Sequence, residues 1–235
     1  MTAVPPPPVQ QVRLVLYFPT LAIDPIDLDG IRSLWSEYAK ITQLPPLEGD
    51  DEDEDEDSDH EHLWPLAFTA FESGPLGESI IYQGDRFAVD WHSEGTELPY
   101  PGYESMKKIL RQRYTEFLDV IIRNGSPSLS EPSRVEALYV NEVPDRSAED
   151  VALRVILGPD APLGEKQEDR YDSFRRHQHW GDREAAWLTA TDIDPGVRVT
   201  IKATAESGVS LEGWPERLDS CHDQVHLFYR SSLGE

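Results

Sequence analysis

Histidines and carboxylates at close spacing are the first residues to examine, because they bind metals and move protons. His222-Asp223-x-x-His226 sets two imidazoles four residues apart, so on a helix they share one face and could both ligate zinc. The acidic residue beside the first histidine is Asp223, one methylene shorter than the glutamate base of zinc proteases. His222 also falls on an apolar face, so packing is the expected role. His177-Gln178-His179-Trp180 puts two imidazoles on one side of an extended segment or along a turn, near Arg175, Arg176 and Asp182, and reads as a polar surface segment or interface loop. His60 and His62 lie in an acidic run, where any ligand would have to be ordered at an entropic cost.

Other chemistry finds no foothold. Gly74-x-x-Gly77 lacks the lysine and the strand-loop-helix setting of a phosphate loop, and no Gly-x-Ser-x-Gly elbow occurs. Carboxylates are too abundant for a pair of them to point to acid-base catalysis. The sequence therefore gives no catalytic, cofactor-binding or metal residue and no cofactor, and leans away from an enzyme.

The elements that would position these side chains follow from periodicity. Val12 to Phe18 reads as a buried strand after a Pro-rich flexible arm at 1–11. Ile31, Leu34, Trp35, Tyr38 and Ile41 predict a helix from Asp27 or Asp29 to about Thr42. Strands are expected over Leu66 to Glu72 and Ser79 to His92, the second folded into a hairpin at Gln83-Gly84-Asp85. Tyr103, Met106, Leu110, Tyr114, Phe117, Leu118, Ile121 and Ile122 form a continuous apolar face that predicts the main core helix, stopped at Asn124-Gly125. Further strands are expected at Val135 to Val143, Val151 to Leu157, Ala185 to Ile193 and Val197 to Ala205, with a turn at Asp194-Pro195-Gly196. A last helix runs from about Pro215 to Leu233.

Both halves thus run strands and then helix. The expected fold is α+β, an antiparallel sheet with two long helices packed on one face, in a pattern that an internal strand-strand-strand-helix duplication would produce. One domain at 12–235 suits a chain of 235 residues.

The formal charge is -24, and the run Glu48 to Glu61 holds eleven of the acidic residues, which leaves -13 for the remainder. Such a run repels itself and has nothing apolar to bury, so 46–62 is expected to be a disordered loop. Deleting 48–61 is expected to leave the melting temperature unchanged within a few degrees, because closure entropy varies slowly with loop length. The charge disfavours direct binding to nucleic acid or to anionic membranes and allows a basic protein partner. No apolar stretch reaches the length of a membrane span and no leader is evident, so cytoplasmic residence is expected. Cys221, the one cysteine, reads as a small buried residue.

Asp85-Arg86-Phe87-x-x-x-Trp91, Tyr100-Pro101-Gly102-Tyr103-Glu104, Leu138-Tyr139-x-Asn141-Glu142 and Leu218-Asp219-x-x-His222 occur in that order. Together they resemble the scattered signature of a sporadically distributed, uncharacterised bacterial domain family of about this length, against which the acidic run is an insertion. The resemblance implies a bacterial single-domain protein from mobile-element, toxin-antitoxin or phage-defence settings, and it brings no activity. Arg86, Trp91, Tyr103, Asn141, Asp219 and His222 are the candidate interaction or polar-network positions. The leading expectation is a non-enzymatic protein-interaction subunit, antitoxin-like or defence-associated, whose partner is encoded nearby. The alternative is a ligand-binding or catalytic α+β domain with a pocket lined by residues such as Trp91, Tyr103, Tyr139 and Trp187.

Overall fold

The computed structural model describes residues 9–18, 30–31, 33–38, 40–44, 68–94, 96–123, 132–158, 173–181, 183–206 and 213–233. Residues 1–8 of the expected arm and the acidic loop at 46–62 lie outside that set. The strands are β1 (Val9–Tyr17), β2 (Lys40–Leu44), β3 (Phe68–Ser73), β4 (Glu78–Gln83), β5 (Arg86–His92), β6 (Arg134–Val143), β7 (Ser173–Gly181), β8 (Glu184–Ile193) and β9 (Gly196–Glu206). The helices are α1 (Tyr103–Arg123), α2 (Ala148–Leu157) and α3 (Trp214–Leu233). The fold is α+β, built on one nine-stranded sheet in the order β2-β3-β4-β5-β1-β6-β9-β8-β7. Every neighbouring pair is antiparallel. Residues 9–11, expected in the arm, belong to β1. No helix of the described residues is long and apolar enough to cross a membrane.

Two expected elements are corrected. Val151 to Leu157 is helix α2, not a strand. Ser147 caps it, its hydroxyl accepting from the Asp150 N–H at 3.2 Å while the Asp150 carboxylate accepts from the Ser147 N–H at 3.0 Å. That box secures the first helical turn, and Ala148, Val151 and Val155 bury one face while Ile156 and Leu157 stay exposed. Ser147→Ala is expected to cost about 1 kcal/mol in urea unfolding.

The helix expected to reach Thr42 stops early. Ile31 and Trp35 are fully buried, but Trp35 to Glu37 form a turn and Lys40–Leu44 pair with β3 as an edge strand. Ile41, counted as part of the apolar face, is exposed. Lys40 and Thr42 both hydrogen-bond the carboxylate of Glu72 across the strand pair, contacts a helix would forgo. The His177 to Trp180 segment takes the extended, polar-surface form of the two expected and not the loop. It belongs to edge strand β7, whose charged and imidazole side chains are the kind that blunt an exposed edge.

Side chains alternate across the sheet as the period of a strand requires. On β1, Val12, Leu14 and Leu16 join a large core with Met106, Leu110 and Phe117 of α1 and Leu218, Cys221 and Val225 of α3. Val15 and Tyr17 join a separate cluster with Phe68, Ala70, Ile81 and Ala88. Phe87 is the hub of an aromatic group, with ring centroids 5.0 Å from Phe117, 5.6 Å from Tyr114 and 6.2 Å from Trp35. Asp90, 1% exposed, accepts from Gln11, from Arg13 at 2.6 Å and meets His92 Nε2 at 2.9 Å. In the β8–β9 hairpin, Gly196 sits at φ +109°, and a Cβ there would strike the Val143 carbonyl oxygen, so a glycine is needed at this turn.

Candidate functional site

Three of the short motifs meet where α1 begins. Tyr103 and Lys107, one helical turn apart on α1, face Asp219 and His222, which are three residues apart on α3. The Tyr103 hydroxyl donates to Asp219 Oδ1 at 2.7 Å, and Lys107 Nζ donates to the same oxygen at 2.6 Å. The Tyr103 ring lies flat on the His222 imidazole, with centroids 3.8 Å apart and planes 6° from parallel. From β6, the Tyr139 hydroxyl reaches His222 Nδ1 at 2.9 Å and the Tyr100 hydroxyl at 3.3 Å.

Burial sets the protonation of this cluster. It pushes the His222 imidazole down to about 4, helped by nearby His226 and opposed by Asp223 and Asp219, so the ring is neutral at neutral pH. Burial also raises the phenols, Tyr100 to about 12 and Tyr103 and Tyr139 further, so their hydroxyls keep their protons. Asp219 is pushed up by burial, but hydrogen bonds from Lys107 and Tyr103 outweigh this and hold it below its usual range. The Tyr100, Tyr139, His222 chain is thus neutral throughout. It can run in either direction, and each direction fixes one imidazole tautomer.

Beside the cluster lies a cavity of about 430 Å3, lined among others by Tyr100, Tyr139, Asn141, His222, Tyr229 and Arg230. Asn141 is 2% exposed and lines the cavity, and its carboxamide makes no hydrogen bond to another described side chain or backbone group. His226 and Arg230 are exposed at the mouth. His226 stands edge-on to His222, centroids 4.4 Å apart, and no cluster of three or more metal-ligating side chains forms among the described residues.

Of the candidate positions, Tyr103, Asn141 and His222 line the cavity and Asp219 anchors Tyr103. Trp91 stands behind it, 5.4 Å from the Tyr100 ring, with its indole nitrogen buried and without a hydrogen-bond partner among the described residues. Arg86 lies elsewhere. It pairs with Asp85 at 2.8 Å and sits over the Tyr17 ring, whose hydroxyl donates to buried Glu136. Arg230 escaped the sequence reading, although it lies four and eight residues beyond His226 and His222 and hence near the same helical face.

Trp187, expected in the pocket, belongs to a different surface. On strands β6, β9 and β8, Leu138, Val140, Thr200, Lys202 and Trp187 remain partly exposed while their alternate neighbours are buried. The register aligns Arg13, Leu138, Lys202, Trp187 and His177 in one row across five strands. The His177 ring stacks on Trp187 at 4.8 Å and 7°, and Lys202 Nζ lies 4.9 Å above the same indole. Comparison with models of known protein families gives no match, and comparison with curated proteins gives none.

Proposed function

We propose that the chain is a non-enzymatic protein-interaction subunit that meets its partner through the open face of β6, β9, β8 and β7. The observation that carries this reading is Trp187, a large, partly exposed aromatic on a strand, stacked on His177 and lying under Lys202, on the same open face as partly exposed Leu138 and Val140. Tryptophan is the residue type that most often dominates binding energy at interfaces, and an antiparallel sheet can leave one face free for such a contact. The charge of -24 speeds the approach of a basic partner over distance, while Trp187 and its aliphatic neighbours make the contact. An antitoxin-like or defence-associated role, with the partner encoded nearby, is part of this proposal and rests on the motif resemblance, and a cytoplasmic setting is proposed with it.

Affinity purification from the native host is expected to return one protein in stoichiometric amount with the unaltered chain. Trp187→Ala is expected to weaken that complex by about 2 kcal/mol or more. Recovery of monomer alone at low and moderate salt, or undiminished binding by the variant, would count against this reading.

We also propose that the two long helices lie over one face of the sheet and that the chain is an internal duplication. In support, α1 and α3 feed the same core cluster as Val12, Leu14 and Leu16. The first strand of each half pairs with its last, β1 with β5 and β6 with β9. Each half contains a three-strand meander, β3-β4-β5 or β7-β8-β9, and then a long helix.

A further inference from the structure

We propose that the cavity between α1, α3 and β6 is a ligand site for a planar heterocycle that has a hydrogen-bond donor beside an acceptor on one edge and carries an anionic substituent. The interaction surface proposed above is a different part of the molecule, and neither depends on the other.

The polar edge is demanded by Asn141. Its carboxamide offers one acceptor and two donors, it is 2% exposed, and it lines the cavity without a partner among the described residues. Two of the polar groups that share the cavity are already committed, Tyr139 to His222 and Tyr103 to Asp219. A lactam or amidine edge, as in a nucleobase, pairs with a carboxamide through two hydrogen bonds.

The planar body follows from the walls, which combine the rings of Tyr100 and Tyr229 with aliphatic Val9 and Val225. A volume of about 430 Å3 lies within the range of small-molecule sites and suits a one- or two-ring compound. Among the described lining residues the interior offers no cation to receive a charge, because His222 is neutral there. The anionic group belongs at the mouth, where exposed Arg230 can grip a phosphate or carboxylate with two parallel N–H donors.

The test uses the full chain with adenosine and uridine monophosphates, the corresponding free bases, and inorganic phosphate as probes in calorimetric titration. At least one monophosphate is expected to bind, more tightly than its base, with inorganic phosphate bound at least about tenfold more weakly. Asn141→Leu is expected to weaken that binding about tenfold or more. Its melting temperature without ligand should hold steady or rise, because the replaced amide makes no hydrogen bond among the described residues and an apolar group takes its place. Arg230→Gln, at an exposed position that does not challenge folding, is expected to erase the preference for the monophosphate over the base. Three results would overturn the proposal: no binding by any monophosphate or base, inorganic phosphate binding as well as the monophosphates, or binding indifferent to both substitutions. A lower melting temperature for ligand-free Asn141→Leu would also overturn it, since the amide would then be serving the fold.

Discussion

Phe87→Ala is expected to lower the unfolding free energy by about 3–5 kcal/mol, measured by urea denaturation of the purified chain. Phe87 is fully buried on β5 and its ring contacts Tyr114 and Phe117 from α1 and Trp35 from the segment before β2. Removing it takes away the transfer energy of a phenyl ring and leaves a hole bounded by three other rings. Those rings cannot all close in, because the Trp35 indole nitrogen is tied to Glu116 at 2.9 Å. A domain of ordinary stability has only about 5–15 kcal/mol in total, so the variant should sit near the unfolding threshold. Phe87→Leu, which keeps most of the volume, should lose markedly less. A loss below about 1.5 kcal/mol for the alanine variant would mean that the aromatic group collapses freely.

The second large effect is expected at Asp90. Its carboxylate is the shared acceptor of Gln11, Arg13 and His92, and Asp90→Ala leaves a part-buried guanidinium without its counter-charge. The expected cost is about 3–5 kcal/mol. Burial pushes the Asp90 carboxyl up, but His92 and Arg13 outweigh it and hold the group below its usual range. Its contribution is therefore present above the unfolded value near 3.9 and is lost as pH falls toward the folded one. His92 shifts the other way, raised by its hydrogen bond to Asp90 against the effect of burial. Its contribution is complete below the unfolded value near 6.5 and disappears as pH rises through the folded one. The pair is thus strongest between about pH 4 and 6.5. Thermal melts across pH 4 to 9 should show the gap between the unaltered chain and His92→Gln narrowing above about pH 6.5, and a constant gap would remove His92 from the network.

Local pattern made α1 legible, because its apolar face runs unbroken from Tyr103 to Ile121 and nothing competes with it. The hairpins at Gly84-Asp85 and Asp194-Pro195 were equally plain, since turn chemistry is local. Val151 to Leu157 misled because a short apolar run suits a strand and a buried helix alike, and only the Ser147-Asp150 box decides. β2 and β7 were missed because both are edge strands, defined by what they pair with rather than by what they bury. Strand order was out of reach, since β1 finds its neighbours more than 60 residues away. For the site, Tyr103, Asn141, Asp219 and His222 could be picked out as unusual residues, but only the fold brings β6 up to the two helices. Arg86 looked equivalent in the sequence and is separated from them by the sheet itself.

The strand order also fixes the order in which the chain can assemble. β3-β4-β5 and β7-β8-β9 are meanders of close neighbours, whose pairings form as soon as the segments are made. The central strands β1 and β6 depend on distant sequence: β1 leaves the ribosome well before β5 and β6, and β6 must wait for β9. Contacts of such long range slow folding, because loop closure precedes any return from pairing. During synthesis β1, with Val12, Leu14, Val15 and Leu16 uncovered, is the segment most open to pairing with another nascent copy. Aggregation of this chain is therefore expected to begin at its first strand, before its second half exists.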